Sequence, residues 1–130
     1  MSVSKIECIA SLRGKGDIKL SLFRHLAPAT VNLILREMPI KSRVTIYPNA
    51  MLCMLTRIRA GVEKQRFEYK RGEVAFLAAT GSLCFFLRNV KSEKPLNPLG
   101  KVEENLEILE QASAGDVLEL KLVQEASDHT

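Results

Sequence analysis

Residues 16–35 read GDIKLSLFRHLAPATVNLIL, and the spacing of their apolar side chains changes partway along. Ile18, Leu20 and Leu22 alternate with polar neighbours, which lines them along one face of a strand. From Pro28 onward Val31, Ile34, Leu35 and Met38 recur at helical spacing. Pro28 suits a first helical turn, where its missing N–H would have no partner. Pro39 then stops the helix near Glu37. The chain must therefore pass from sheet to helix through a short proline joint.

The flanking sequence supplies more strands. Ile6, Cys8, Ile9 and Leu12 precede a Gly-Lys-Gly-Asp turn, so this run pairs with the Ile18 strand as a hairpin. A short strand over 43–47 stops at Pro48-Asn49, and a longer one covers 51–58. Residues 73–79 and 83–88 flank ATGS and form another hairpin. KSEKPLNPLG is too rich in proline and charge for regular structure. Val102, Leu106, Ile108 and Leu109 mark a second helix, with Glu103 and Glu104 in its first turn, where the helix dipole favours acids. A last strand runs from Val117 to Val123. About eight short strands with a charged exterior predict a mainly β fold: a closed eight-stranded antiparallel barrel, since closure removes exposed edges. Two short α-helices, near 28–37 and 102–110, cap its ends. Ile18, Leu20, Leu22, Phe76, Phe85, Leu87, Val117 and Leu120 are the expected core. A single domain covers 1–124, and 125–130 form a polar tail.

Composition narrows the chemistry. Hydrophobic residues make up 46% of the 130 and charged residues 26%, the balance of an ordinary globular chain. No apolar run reaches the ~20 residues that cross a bilayer, and residues 1–8 carry no apolar signal core. The expectation is a cytoplasmic protein without membrane association. Cys8, Cys53 and Cys84 form no Cys-x-x-Cys pair, and His25 and His129 are far apart, so neither a metal site nor a cofactor is expected. Each cysteine sits in an apolar run and reads as a small hydrophobe. The formal charge of +4 is local: Arg57, Arg59, Lys64, Arg66, Lys70 and Arg71 face only Glu63 and Glu68 within 57–71, and the rest of the chain is neutral. Such a strip can face phosphates or protect an exposed edge.

With these elements placed, three segments resemble the cyclophilins. GDIKLSLFRHLAPATVNLIL is similar to the family's strand ending Leu-Phe, followed by Pro-x-Thr and a capping helix. GEVAFLAATGSLCFFL and NPLGKVEENLEILE resemble two later segments, in the right order. The short chain, with Met-Pro-Ile after its first helix, looks closer to the minimal cyclophilin-like proteins of bacteria and archaea. The resemblance implies an eight-stranded barrel with a peptide groove on its wall.

It also implies where prolyl isomerase machinery would lie. The family stabilises a twisted amide with an arginine beside an apolar proline pocket. Here RVTIYPNAMLCM takes that place: Thr45 stands at the arginine position, Ala50 replaces a pocket phenylalanine, and Met51 is retained. Arg43 lies two residues earlier on the same strand face, and is the candidate catalytic group. Cys84 stands where the family has glutamine, and Phe86 is the matching pocket aromatic, pointing away from Phe85. Thr45, Met51, Cys84 and Phe86 are thus the candidate groove residues.

Three functions follow, in order of expectation. The first is a module that holds a peptide, protein or small-molecule ligand in a groove without efficient isomerisation. The second is a weak peptidyl-prolyl cis-trans isomerase using Arg43 and Phe86. The third is a nucleic-acid-associated protein using 57–71, whose interleaved aromatics are Phe67 and Tyr69.

Overall fold

The computed structural model describes residues 4–48 and 50–123, so the expected tail at 125–130 lies outside the described residues. The chain runs β1 (Lys5–Leu12), β2 (Gly16–Phe23), α1 (Pro28–Glu37), β3 (Ile40–Tyr47), β4 (Met51–Leu55), β5 (Arg66–Tyr69), β6 (Glu73–Leu77), β7 (Ser82–Phe86), β8 (Val90–Glu104), α2 (Leu106–Glu110) and β9 (Val117–Leu122). The strand order is β2-β1-β9-β3-β4-β7-β6-β8, and a β2–β8 pairing closes the ring. The result is a closed eight-stranded antiparallel barrel. β5 is a ninth strand, attached outside the ring to β8 and to no other strand among the described residues.

Alternation decides which side chains fill the barrel. Ile18, Leu20, Leu22, Phe76, Phe85 and Leu120 are buried in one core cluster, as expected. Leu87, just past the end of β7, is partly buried against it. Val117 is a correction. It stands an odd number of residues from Leu120, so its side chain points outward, and Leu118 takes the inward position. The helices close opposite ends. α1 starts just after the Phe23 end of β2 and buries Thr30, Val31 and Ile34, while Ile108 of α2 packs over Gly16 at the start of β2.

The stretch KSEKPLNPLG is the largest departure from expectation. It lies inside β8, a continuous strand of 15 residues. Its first half pairs with β5, and its second half runs between β6 and β2. Pro98 sits at a bulge opposite Val74 and Ala75, where the regular ladder is already interrupted. Glu103 and Glu104 also belong to this strand. They are held by its pairing with β2, so α2 is shorter than expected and begins after Asn105. At Gly100 the barrel wall allows no side chain. A Cβ there would collide with the Ser21 carbonyl of β2.

The loop between β4 and β5 is pinned by a polar network. Ala27 offers no side-chain cap to α1, and Glu63 supplies one from a distance. The Ala29 N–H donates to Oε2 at 3.0 Å, and the Thr30 N–H and Oγ1 donate to Oε1 at 2.7 and 2.6 Å. Buried Asn97 donates to Thr30 Oγ1 and the Gly61 carbonyl, and accepts from the Glu63 N–H. Burial raises the Glu63 pKa, but the Thr30 and Ala29 donors outweigh it and hold the carboxyl below its ordinary value of 4.5.

Gly100→Ala should cost about 2 kcal/mol or more in urea unfolding, because backbone must move. Gly61→Ala, with no atom within 4 Å of the new Cβ, should stay within about 0.5 kcal/mol of wild type. Glu63→Gln should cost about 1 kcal/mol at neutral pH, the usual worth of a cap. Because the folded-state pKa is lowered, that stabilisation is present above the ordinary value and is lost as pH falls through the folded value. The gap between wild type and Glu63→Gln should therefore narrow below pH 4.5, as read from urea midpoints across pH.

Candidate functional site

The outer face of β3, β4, β7 and β6 carries the residues that the sequence singles out. Register places them in three rows: Leu55, Ser82 and Leu77, with Arg43 one residue before the first β3–β4 pair; then Thr45, Cys53, Cys84 and Ala75; then Tyr47, Met51 and Phe86, with Glu73 one residue before the first β6–β7 pair. Phe85 points into the barrel core and Phe86 points away from it, as alternation requires. Thr45, Met51, Cys84 and Phe86 thus occupy one face. Arg43 lies two rows from Phe86, about 13 Å along the strands and about 10 Å across them. Its guanidinium donates to the Gly115 carbonyl at 3.1 Å. Arg43 and Phe86 do not share a groove.

Half of this face is covered. β5 and the first half of β8 form a two-stranded arm that lies over it. Tyr69 and Leu96 from the arm pack with Cys53, Ala75, Cys84 and Phe86 into a second buried cluster, edged by Met51, Leu77 and Val90. The Tyr69 ring stacks on Phe86 with centroids 4.6 Å apart and planes 4° from parallel. The Arg66 guanidinium lies 4.6 Å from the Tyr69 ring, and pairs with Glu73 at 3.0 Å. The Tyr69 hydroxyl donates to the Leu96 carbonyl at 2.7 Å, so its one polar atom is satisfied inside the cluster. Burial pushes the Tyr69 pKa up despite Arg66 beside it. Phe86, expected to line an open groove, is therefore 0% exposed.

The open concavity lies along the arm. A cleft of about 960 Å³ is lined by 66–70, Glu73 and 89–91. Phe67 is 48% exposed at its wall. Lys70 and Lys91 also line it, and neither has an ion pair among the described residues. β5 pairs with β8 on one side, and its other edge has no strand beside it among the described residues. β5 is a strand that the sequence analysis did not place; alternation in Arg-Phe-Glu-Tyr is the local signal for it, and nothing local reveals that Tyr69 covers Phe86. Leu96 is hidden still further, inside the proline-rich stretch.

The basic segment does not form one surface. Lys64 donates to the His25 carbonyl, Arg66 pairs with Glu73, and Arg71 pairs with Glu110, which also binds Arg88. Arg57 and Arg59 line a separate polar hollow with 78–81. Only Arg66 and Lys70 of the six basic residues reach the cleft. Among the described residues no group of three or more His, Cys, Asp or Glu side chains could hold a metal, and no helix is long and apolar enough to cross a membrane.

Tyr69→Ala should remove the lid from Phe86 and cost about 3–5 kcal/mol, the usual range for losing a buried aromatic. Hydrogen exchange should then accelerate at residues 66–69 and 90–96 while the barrel strands β1, β2 and β9 stay protected. Uniform loss of protection would show that arm and barrel unfold as one unit.

No family model matches the chain, and no curated protein matches it. Solved structures do. The solution structure of the hypothetical protein AF2241 from Archaeoglobus fulgidus superposes with a TM-score of 0.79 at 17% identity, over 94% of this chain and 98% of that one. A structure of McbB in complex with tryptophan superposes with a TM-score of 0.73 at 14% identity, over 92% of this chain and 45% of that one. At these identities the likeness is one of fold.

Proposed function

We propose that the protein is a cyclophilin-like binding module that takes an extended peptide along β5, with an apolar side chain seated in the arm cleft. The observation that carries this reading is the cleft of about 960 Å³ lined by β5 and the start of β8, with Phe67 half exposed at its wall, on an arm whose β5 edge has no strand beside it among the described residues. A free edge offers backbone donors and acceptors to an added strand, and a neighbouring pocket selects its side chains. Lys70 and Lys91 outnumber Glu68, the lining carboxylate without an ion pair among the described residues, while Glu73 is already engaged by Arg66 and the Lys70 N–H. An acidic residue beside the apolar one therefore suits the ligand. A fold neighbour observed with bound tryptophan, an apolar ring joined to a carboxylate, is compatible with that chemistry.

Binding rather than efficient isomerisation is favoured by the separation of Arg43 from Phe86 and by the Tyr69 ring over Phe86. A developing transition state needs its donor correctly aimed, and losing one such donor costs about 10²–10³ in rate.

The test is a titration of ¹⁵N-labelled protein with hexapeptides that pair a phenylalanine or leucine with a glutamate. Amide shifts should concentrate at 66–70 and 89–91, and Phe67→Ser should weaken affinity about tenfold or more, the equivalent of losing one buried aromatic contact. Shifts confined to the Arg43 row, or none at millimolar peptide, would overturn the arm as the site. Prolyl exchange followed in the same samples should not accelerate. Acceleration that disappears in Arg43→Ala would establish the isomerase instead.

A further inference from the structure

The two cysteines beneath the arm form a pair that neither their spacing in sequence nor their apolar surroundings reveals. Cys53 of β4 and Cys84 of β7 are register partners on adjacent antiparallel strands. Their Sγ atoms are 3.0 Å apart and both residues are free thiols. Directly opposed residues in such a ladder have Cα atoms about 4.5–5.5 Å apart, inside the range of about 4.4–6.8 Å that a disulfide spans. Both side chains point to the same covered face, against Ala75, Tyr69, Phe86 and Leu96. Cys8 lies in the barrel core, in the other cluster, and its thiol donates to the Ile6 carbonyl.

We propose that Cys53 and Cys84 are a redox modification site, closing to an intramolecular cross-strand disulfide when the protein meets a small hydroperoxide such as hydrogen peroxide. Cys53 reacts first, since it keeps 5% exposure while Cys84 has none. Its sulfur attacks one peroxide oxygen: an S–O bond forms, the O–O bond breaks, and the departing hydroxide takes the Cys53 thiol proton to become water. Cys84 sulfur then attacks Cys53 sulfur. The S–S bond forms, the S–O bond breaks, and the Cys84 proton leaves with the hydroxide as a second water. Two thiols are oxidised and one peroxide is reduced to two waters. The contact with Cys53, and then burial, push the Cys84 pKa far up, so it remains a thiol until the sulfenic acid forms beside it. The short reach between the sulfurs favours closure over further oxidation. The site is independent of the peptide reading, because it needs only the β4–β7 register.

The experiment treats the native, fully reduced protein with hydrogen peroxide, quenches with a thiol alkylator, and maps tryptic peptides by mass. Peptide 44–57 carries Cys53 and peptide 72–88 carries Cys84. The expected product links these two peptides, leaves Cys8 alkylated, and reverts to three alkylated cysteines after dithiothreitol. Cys8→Ser should give the same link, which keeps the test valid even where Cys53→Ser or Cys84→Ser fails to fold. Oxidation to unlinked sulfinic or sulfonic acids, a link through Cys8, or three intact thiols after prolonged exposure would each overturn the proposal.

Discussion

The closing ladder of β8 is the constraint on which the other features depend. This strand gives its second half to β6 on one edge and β2 on the other, and its first half to β5. If it ended near Leu96, β2 and β6 would each present an unpaired edge, and each stranded buried backbone group costs about 1–3 kcal/mol. Continuity through Lys-Pro-Leu-Asn-Pro-Leu-Gly is thus enforced by the ring, with Pro98 accommodated at a bulge and Gly100 reduced to a bare backbone against Ser21. Asn97, at the crossing from arm to barrel, ties the same strand to Thr30 of α1 and to the loop through Gly61 and Glu63. One strand therefore closes the barrel, anchors a helix and carries the arm.

That geometry gives the protein two apolar layers instead of one. Strict alternation on β7 sends Phe85 into the barrel and Phe86 outward. A solvent-facing Phe86 would leave apolar area in water worth about 1.5–3 kcal/mol. Tyr69 removes it from water, and Arg66 lies over the ring with its charge matched to Glu73. The arm fills the Cys84 and Phe86 part of the surface that a cyclophilin-like reading assigns to ligand, while Thr45 stays exposed, and an open cleft lies along the arm itself. The same cover encloses Cys53 and Cys84, which makes a buried dithiol out of two residues on a barrel's exterior.

Charge follows the same redistribution. The local excess of +4 in 57–71 is a property of the linear chain. In three dimensions its cations meet partners drawn from other segments, Glu73 and Glu110 among them, and Arg57 and Arg59 turn to a different hollow. Exposed ion pairs of this kind contribute about 0–1 kcal/mol each. Their larger effect is to leave Lys70 and Lys91 as cations at the cleft with no ion pair among the described residues.

Local pattern determined a large part of this architecture. The period-two runs of β1 and β2, the α1 boundaries at Pro28 and Glu37, and the opposite directions of Phe85 and Phe86 all follow from residue spacing and proline chemistry, which act within a few residues. Strand number and alternation pointed to a closed antiparallel barrel, although the strand that closes it, β8, was not among those the local pattern marked. Other features were settled only by partners distant in the chain. The proline-rich stretch became a strand because two edges of the ring needed it, and Glu103 and Glu104 went with it into the β2 pairing rather than into a helix. Glu63 became a helix cap because a loop 33 residues away returned to Thr30. Tyr69 covered Phe86, and Cys53 met Cys84, through register between strands that are separate in sequence. Spacing along a chain specifies which face a side chain takes. What lies across that face is set by backbone pairing and closure, and these exist only once the whole ring has formed.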